Sequence, residues 1–153
     1  MNHEQTDRFI TIDEIISAPV QFVWDAWTLN KGICSWLVED SDIELSIGGK
    51  FEIYFGPDMP VGSKGSEQCT ILSYDPQKML SFSWNAPPTI PALREIGPCT
   101  WIVLHFASVD ESHTKLSLRH CGIKSGSDDW DAYLAYFESA WPFVFAALQK
   151  HFA

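Results

Sequence analysis

Basic residues are scarce in this chain. Ten Lys and Arg stand against twenty Asp and Glu over 153 residues, a formal charge of −10. Such a chain repels phosphate backbones and anionic lipid, so no nucleic-acid partner is expected. Long apolar runs are missing too: no stretch of about eighteen apolar residues is present to span a bilayer, and no membrane insertion is expected. Met1 to Arg8 is polar and no apolar signal region follows it, which makes the cytoplasm the expected compartment.

Recognisable reaction motifs are absent as well. Cys34, Cys69, Cys99 and Cys121 form neither a CxxC pair nor a zinc spacing, and read as reduced, buried small hydrophobes. There is no GxSxG nucleophile elbow and no phosphate loop, and the five histidines do not pair at helical spacing. On these grounds no catalytic residue, metal site or cofactor is assigned.

What the chain has in quantity is aromatic rings, with seven Trp and ten Phe. Large side chains should therefore dominate the interior. The length suits one domain burying roughly 70% of the surface of the unfolded chain. The expected organisation is a flexible N-terminus over residues 1–7 and a single domain over 8–153.

Hydrophobic spacing predicts the elements. From Ser127 to Phe152, Trp130, Tyr133, Leu134, Phe137, Trp141, Val144, Phe145, Leu148 and Phe152 step by three or four, which describes one long amphipathic helix. Ser127 suits its N-cap, and Asp128 and Asp129 its positive end. Pro142 removes one hydrogen bond and predicts a kink or bulge. Upstream, Phe9 to Ser17 reads as a strand. A short helix after Pro19 carries Phe22, Val23, Ala26 and Trp27, and Asn30 to Trp36 supplies a further helical turn or two.

The period then changes to two. Ile43, Leu45 and Ile47 share a face before Gly48-Gly49, a pair that predicts a tight hairpin, and Phe51, Ile53 and Phe55 share a face of the next strand. Further strands are expected around Glu67 to Ser73, over Met79 to Trp84, over Thr100 to Ala107 and over Thr114 to His120. In the last pair Ile102, Leu104 and Phe106 face inward with Leu116, Leu118 and His120, while Trp101 and Val103 lie on the outer face and point to a homodimer or a covered surface. Asn85 to Pro98 holds four prolines and is long for a connection, the character of a lid or binding loop. The fold class is α+β, with the long helix laid on one face of an antiparallel sheet.

Several segments taken in order resemble a known family: Ala18-Pro19 with Val23-Trp24-Asp25-Ala26-Trp27, Gly48-Gly49-Lys50-Phe51, Leu80 to Trp84, Thr114 to Gly122, and Trp141-Pro142. They are similar to the activator of Hsp90 ATPase homologue 1-like family, of the START-like (SRPBCC) superfamily, over about residues 8 to 152. The resemblance implies a helix-grip fold, a curved antiparallel sheet of about six to seven strands wrapped round the C-terminal helix and enclosing an apolar cavity. It departs from the family at Ala140, where a Gly is usual, and in the extended Asn85 to Pro98 loop.

Under that resemblance the expected partner is a small hydrophobic molecule, held by Trp36, Phe51, Ile53, Phe82, Trp84, Leu104, Leu118, His120, Tyr133, Phe137 and Trp141. The same rings could equally close the core without a void. His120 is either a hydrogen-bonding or acid-base group in the cavity, or a structural histidine satisfied by its neighbours. The family also implies two alternatives to ligand carriage: a polyketide cyclase or aromatase using His120 and Tyr133, and a stress-related co-chaperone partnered with an Hsp90-type ATPase.

Overall fold

The computed structural model describes residues 7–153, so residues 1–6, most of the expected flexible N-terminus, lie outside the described part. In chain order the elements are β1 (Arg8–Ile16), α1 (Val20–Thr28), α2 (Asn30–Cys34), β2 (Asp40–Ile43), β3 (Phe51–Tyr54), β4 (Ile71–Asp75), β5 (Met79–Trp84), α3 (Pro91–Ile96), β6 (Thr100–Asp110), β7 (His113–Ile123) and α4 (Asp128–His151). β1, β7, β6, β5 and β4 form one antiparallel sheet in that order, and β2 and β3 form a ribbon. Bridges Lys50 to Thr70 and Tyr54 to Gly65 attach the ribbon beside β4. The α+β helix-grip architecture is as expected, with the seven strands divided five and two.

The β6–β7 hairpin carries the predicted parity. Ile102 pairs with His120, Leu104 with Leu118 and Phe106 with Leu116, and all six are buried. On α4 the Ser127 hydroxyl accepts the Trp130 N–H at 3.2 Å, and the helix continues through Pro142 to His151. Tyr133, Phe137, Trp141, Val144, Phe145 and Leu148 form its buried stripe, while Trp130, Leu134 and Phe152 are half-buried beside it.

Three local expectations are corrected. Gly48-Gly49 is not a tight hairpin: β2 ends at Ile43 and β3 begins at Phe51, leaving Leu45 and Ile47 in the connection. Glu44 N–H still reaches Lys50 O, but the chain then turns through Ser46 N–H to Glu44 O, and Gly48 N–H crosses to Ile71 O. Gly48 adopts φ 79°, the left-handed region that glycine enters without strain.

The strand expected over Glu67 to Ser73 begins only at Ile71. Glu67 is occupied elsewhere, its carboxylate accepting the backbone N–H groups of Gly62, of Lys64 at 2.7 Å and of Gly65 at 2.9 Å. A side chain that organises a loop in this way competes with extended pairing. Finally, the Pro-rich connection contains α3, with Pro91 at its first turn where a missing N–H is tolerated.

Candidate functional site

The polar centre beneath α4 is a closed hydrogen-bond cluster. Strand parity brings His120 inward on β7, diagonally across from Thr100 at the start of β6, and α4 lowers Tyr133 and Trp141 onto them, two turns apart on one helix face. Trp141 Nε1–H donates to His120 Nδ1 at 3.0 Å. The imidazole proton therefore sits on Nε2, which lies 2.9 Å from Thr100 Oγ1 and 3.1 Å from Tyr133 Oη. Tyr133 Oη lies 2.7 Å from Thr100 Oγ1, and the threonine hydroxyl donates to Trp84 O at 3.2 Å.

Every polar atom of that cluster has a partner. Burial pushes the His120 pKa down to about 3, so the ring is neutral at physiological pH, and burial raises the Tyr133 hydroxyl above its ordinary value. The rings of Phe137 and Trp141 cover His120 edge to face at centroid distances of 5.0 and 5.9 Å. The chemistry of this arrangement is orientation: it fixes α4 in rotation and height against the sheet.

Open space lies elsewhere. A cleft of about 910 Å³ runs along the flank of α4, between the helix, the Thr89-Ile90 segment and Phe55. Its helix wall is a second stripe, made of Ala132, Ala135, Tyr136, Ser139, Ala140 and Phe143, at three- and four-residue spacing next to the buried rings. Trp84, Phe137 and Trp141 form its floor. A concavity of about 280 Å³ adjoins it at Phe55, Trp84, Tyr136 and Phe137, and another of about 700 Å³ lies between Cys34 to Glu39 and Phe55 to Met59. Phe55, 52% exposed, borders all three.

The eleven residues expected to hold a ligand divide accordingly. Trp84, Phe137 and Trp141 line the main cleft, and Trp36 lines the 700 Å³ concavity while donating its Nε1–H to Ala26 O at 2.9 Å. Phe51 and Phe82 stack at 3.9 Å between centroids, and with Ile53, Leu104, Leu118, His120 and Tyr133 they lie in the packed interior, on none of these walls. The main cleft thus opens along the flank of α4, over the edge of its ring face. Phe55, Tyr136, Phe143 and Ile90 were not among the residues expected to hold a ligand. The stripe of small residues from Ala132 to Ala140 was the available signal for them.

Two further features shape the cleft. Trp84 Nε1 is buried with no hydrogen-bond partner among the described residues, on the floor of the open space. Ala140 puts its methyl on the cleft wall. Among the described residues no three His, Cys, Asp or Glu side chains are grouped to hold a metal ion, and no helix is long and apolar enough to cross a membrane.

Comparison with known proteins accords with this geometry. Protein MLL2253 from Mesorhizobium loti has a similar solved structure, with TM-score 0.72 and 23% identity, covering 94% of this chain and 96% of that one. The Aha1 dimer from Colwellia psychrerythraea matches with TM-score 0.70 and 18% identity, over 95% of this chain and 96% of that one. PFC0360w, an Hsp90 activator from Plasmodium falciparum, matches with TM-score 0.63 and 21% identity, over 87% and 86%. At these identities the likeness is one of fold. No curated protein sequence matches the chain. The family described as activator of Hsp90 ATPase homolog 1-like protein matches residues 17–153, and the chain belongs to that family, within the START-like superfamily of helix-grip proteins.

Proposed function

We propose that this protein binds and carries a small hydrophobic molecule in the cleft along α4. The observation that carries this reading is the cleft itself: about 910 Å³, largely apolar, with a floor of Trp84, Phe137 and Trp141. Small-molecule sites fall within roughly 300 to 1,000 Å³ and are lined mainly by apolar and aromatic groups. Rings held by the His120 cluster give such a site a rigid floor, which lowers the ordering cost of binding. The cytoplasm is the proposed setting.

Turnover of a polyketide-like substrate would need polar groups converging on the open space. His120 and Tyr133 instead satisfy each other, Thr100 and Trp141 within the core, which supports carriage over catalysis.

Native mass spectrometry of freshly purified protein tests the reading, together with a thermal-shift screen of fatty acids, sterols, flavonoids and aromatic polyketides. A ligand at a hundred times its dissociation constant adds about 2.7 kcal/mol, a rise in melting temperature of roughly 5 to 10 °C for a domain this size. Ala135→Trp, on the exposed wall of the cleft, should leave the fold intact and abolish the shift. If no apolar compound shifts the transition and none copurifies, the reading fails.

A second reading is a co-chaperone acting on an Hsp90-type ATPase. Family membership supports it, as does the exposure on one cleft of Phe55, Tyr136 and Phe143, the last 76% exposed. A changed ATPase rate of the chaperone on addition of this protein, lost in Phe143→Asp, is the expected result. The homodimer suggested by Trp101 and Val103 on the outer face belongs to the same reading, and sedimentation tests it.

A further inference from the structure

We propose that the molecule taken up is an amphipathic monoanion, with its hydrocarbon body along α4 and its carboxylate beside Lys64. This inference rests on the reading of the cleft as a ligand site. The main cleft and the 280 Å³ concavity share four aromatic residues, so they are contiguous, but their far ends differ in chemistry. The main cleft continues along the helix past Phe143 to Val144, and from Tyr136 to Val144 the helix rises about 12 Å, enough for a hydrocarbon chain. The smaller concavity is lined at its other end by Ser63, Lys64, Asn85 and Arg94.

Of the two cations there, Arg94 is already committed. It pairs with Glu67 at 3.0 Å and donates to Gly62 O, Gly65 O and Ala86 O, with both members of the pair largely buried. Asn85 likewise gives its amide protons to Gly65 O and Glu67 O. Lys64 is half-buried and, among the described residues, has no ion-pair partner. Its ammonium has three donors to offer an anion, and the Ser63 hydroxyl supplies one more.

Charge also selects the direction. On the other side of Phe55 the 700 Å³ concavity carries Glu39 and Asp58, which repel a carboxylate. Phe55 thus stands between an anionic and a cationic recess, and an anion entering an apolar cleft in a chain of charge −10 has one favourable end. A neutral alcohol of equal chain length gains the same apolar burial without that discrimination.

The test compares dodecanoate with 1-dodecanol, both below micelle formation, by fluorescence titration of the full chain. We expect the acid to bind about tenfold more tightly, in line with a hydrogen bond to a charged group. Lys64→Gln should reduce the ratio to near one while leaving the alcohol unaffected, and Lys64→Arg should restore it. Lys115→Gln removes the same unit of charge from an exposed strand position and should leave the ratio unchanged. Equal binding of acid and alcohol, a preference that survives in Lys64→Gln, or an equal loss in Lys115→Gln would overturn the inference while the cleft reading stands. Binding of neither, with no other apolar compound bound, sinks both.

Discussion

Trp141 and His120 are joined by one hydrogen bond, from indole Nε1–H to imidazole Nδ1 at 3.0 Å, and that bond decides the histidine's tautomer. With Nδ1 accepting, the proton is on Nε2, directed at Thr100 and Tyr133. A residue whose strand position suits an acid or base is thereby made a fixed donor between sheet and helix.

The first prediction concerns acid stability. Native His120 stays neutral down to about pH 3, whereas in the unfolded chain it protonates near pH 6.5. The unfolded state therefore binds more protons between those values. The stabilisation from keeping the ring neutral is fully present above pH 6.5 and is lost as pH falls toward 3, at up to roughly 1.4 kcal/mol per pH unit. Urea unfolding between pH 7.5 and 4.5 should show this slope, and it should flatten in His120→Gln. At neutral pH, diethyl pyrocarbonate should modify His120 much more slowly than exposed His105 and His151. Equal rates would contradict the burial.

The second concerns the wall of the smaller concavity. Arg94 and Glu67, only 13% and 14% exposed at their side chains, tie α3 to the loop from Gly62 to Gln68. Arg94→Met leaves the Glu67 carboxylate without its counter-charge and the carbonyls of Gly62 and Ala86 without the guanidinium, while Gly65 O keeps only Asn85, which should cost about 2 to 3 kcal/mol. Hydrogen exchange should accelerate in residues 62–68 and 85–97 and stay unchanged in β6 and β7. Uniform acceleration across the sheet would show that the pair supports global stability instead of one wall.

The third concerns the outer face of the sheet. Trp101, 39% exposed, packs its ring against Gly122, and a Cβ at that position would meet the ring at 2.5 Å. Gly122 also has φ 81°, where an L side chain is strained. Gly122→Ala should therefore lift the indole off the sheet, red-shift its fluorescence and cost about 1 to 3 kcal/mol. A variant as stable as the parent would mean that the ring is not seated there. This contact gives Trp101 a partner within its own chain, so its outer-face position does not by itself call for a second copy.

Legibility followed the range of the interactions involved. The α4 stripe and the inward parity of Ile102, Leu104, Phe106, Leu116, Leu118 and His120 were readable because each repeats at the period of its own backbone. Glu67 was misread as part of a strand because its partners are backbone N–H groups of a loop, and no hydropathy pattern records them. Leu45 and Ile47 alternate like a strand, yet the chain turns at Ser46 and carries Ile47 into solvent.

The helix-grip frame is written in the residue order: the succession of elements, the capped terminal helix, the core face of β6 and β7, and the family to which these segments belong. Those are properties of local periodicity and of short segments in order. Which rings are core and which are wall depends on packing in three dimensions. Trp84 and Phe82 share one strand face, yet Phe82 stacks on Phe51 inside the core while Trp84 floors the cleft. The physical reason is that empty space belongs to no residue. It exists where Phe55, Ile90 and the small-residue flank of α4 fail to meet, and that depends on packing between elements far apart in the chain.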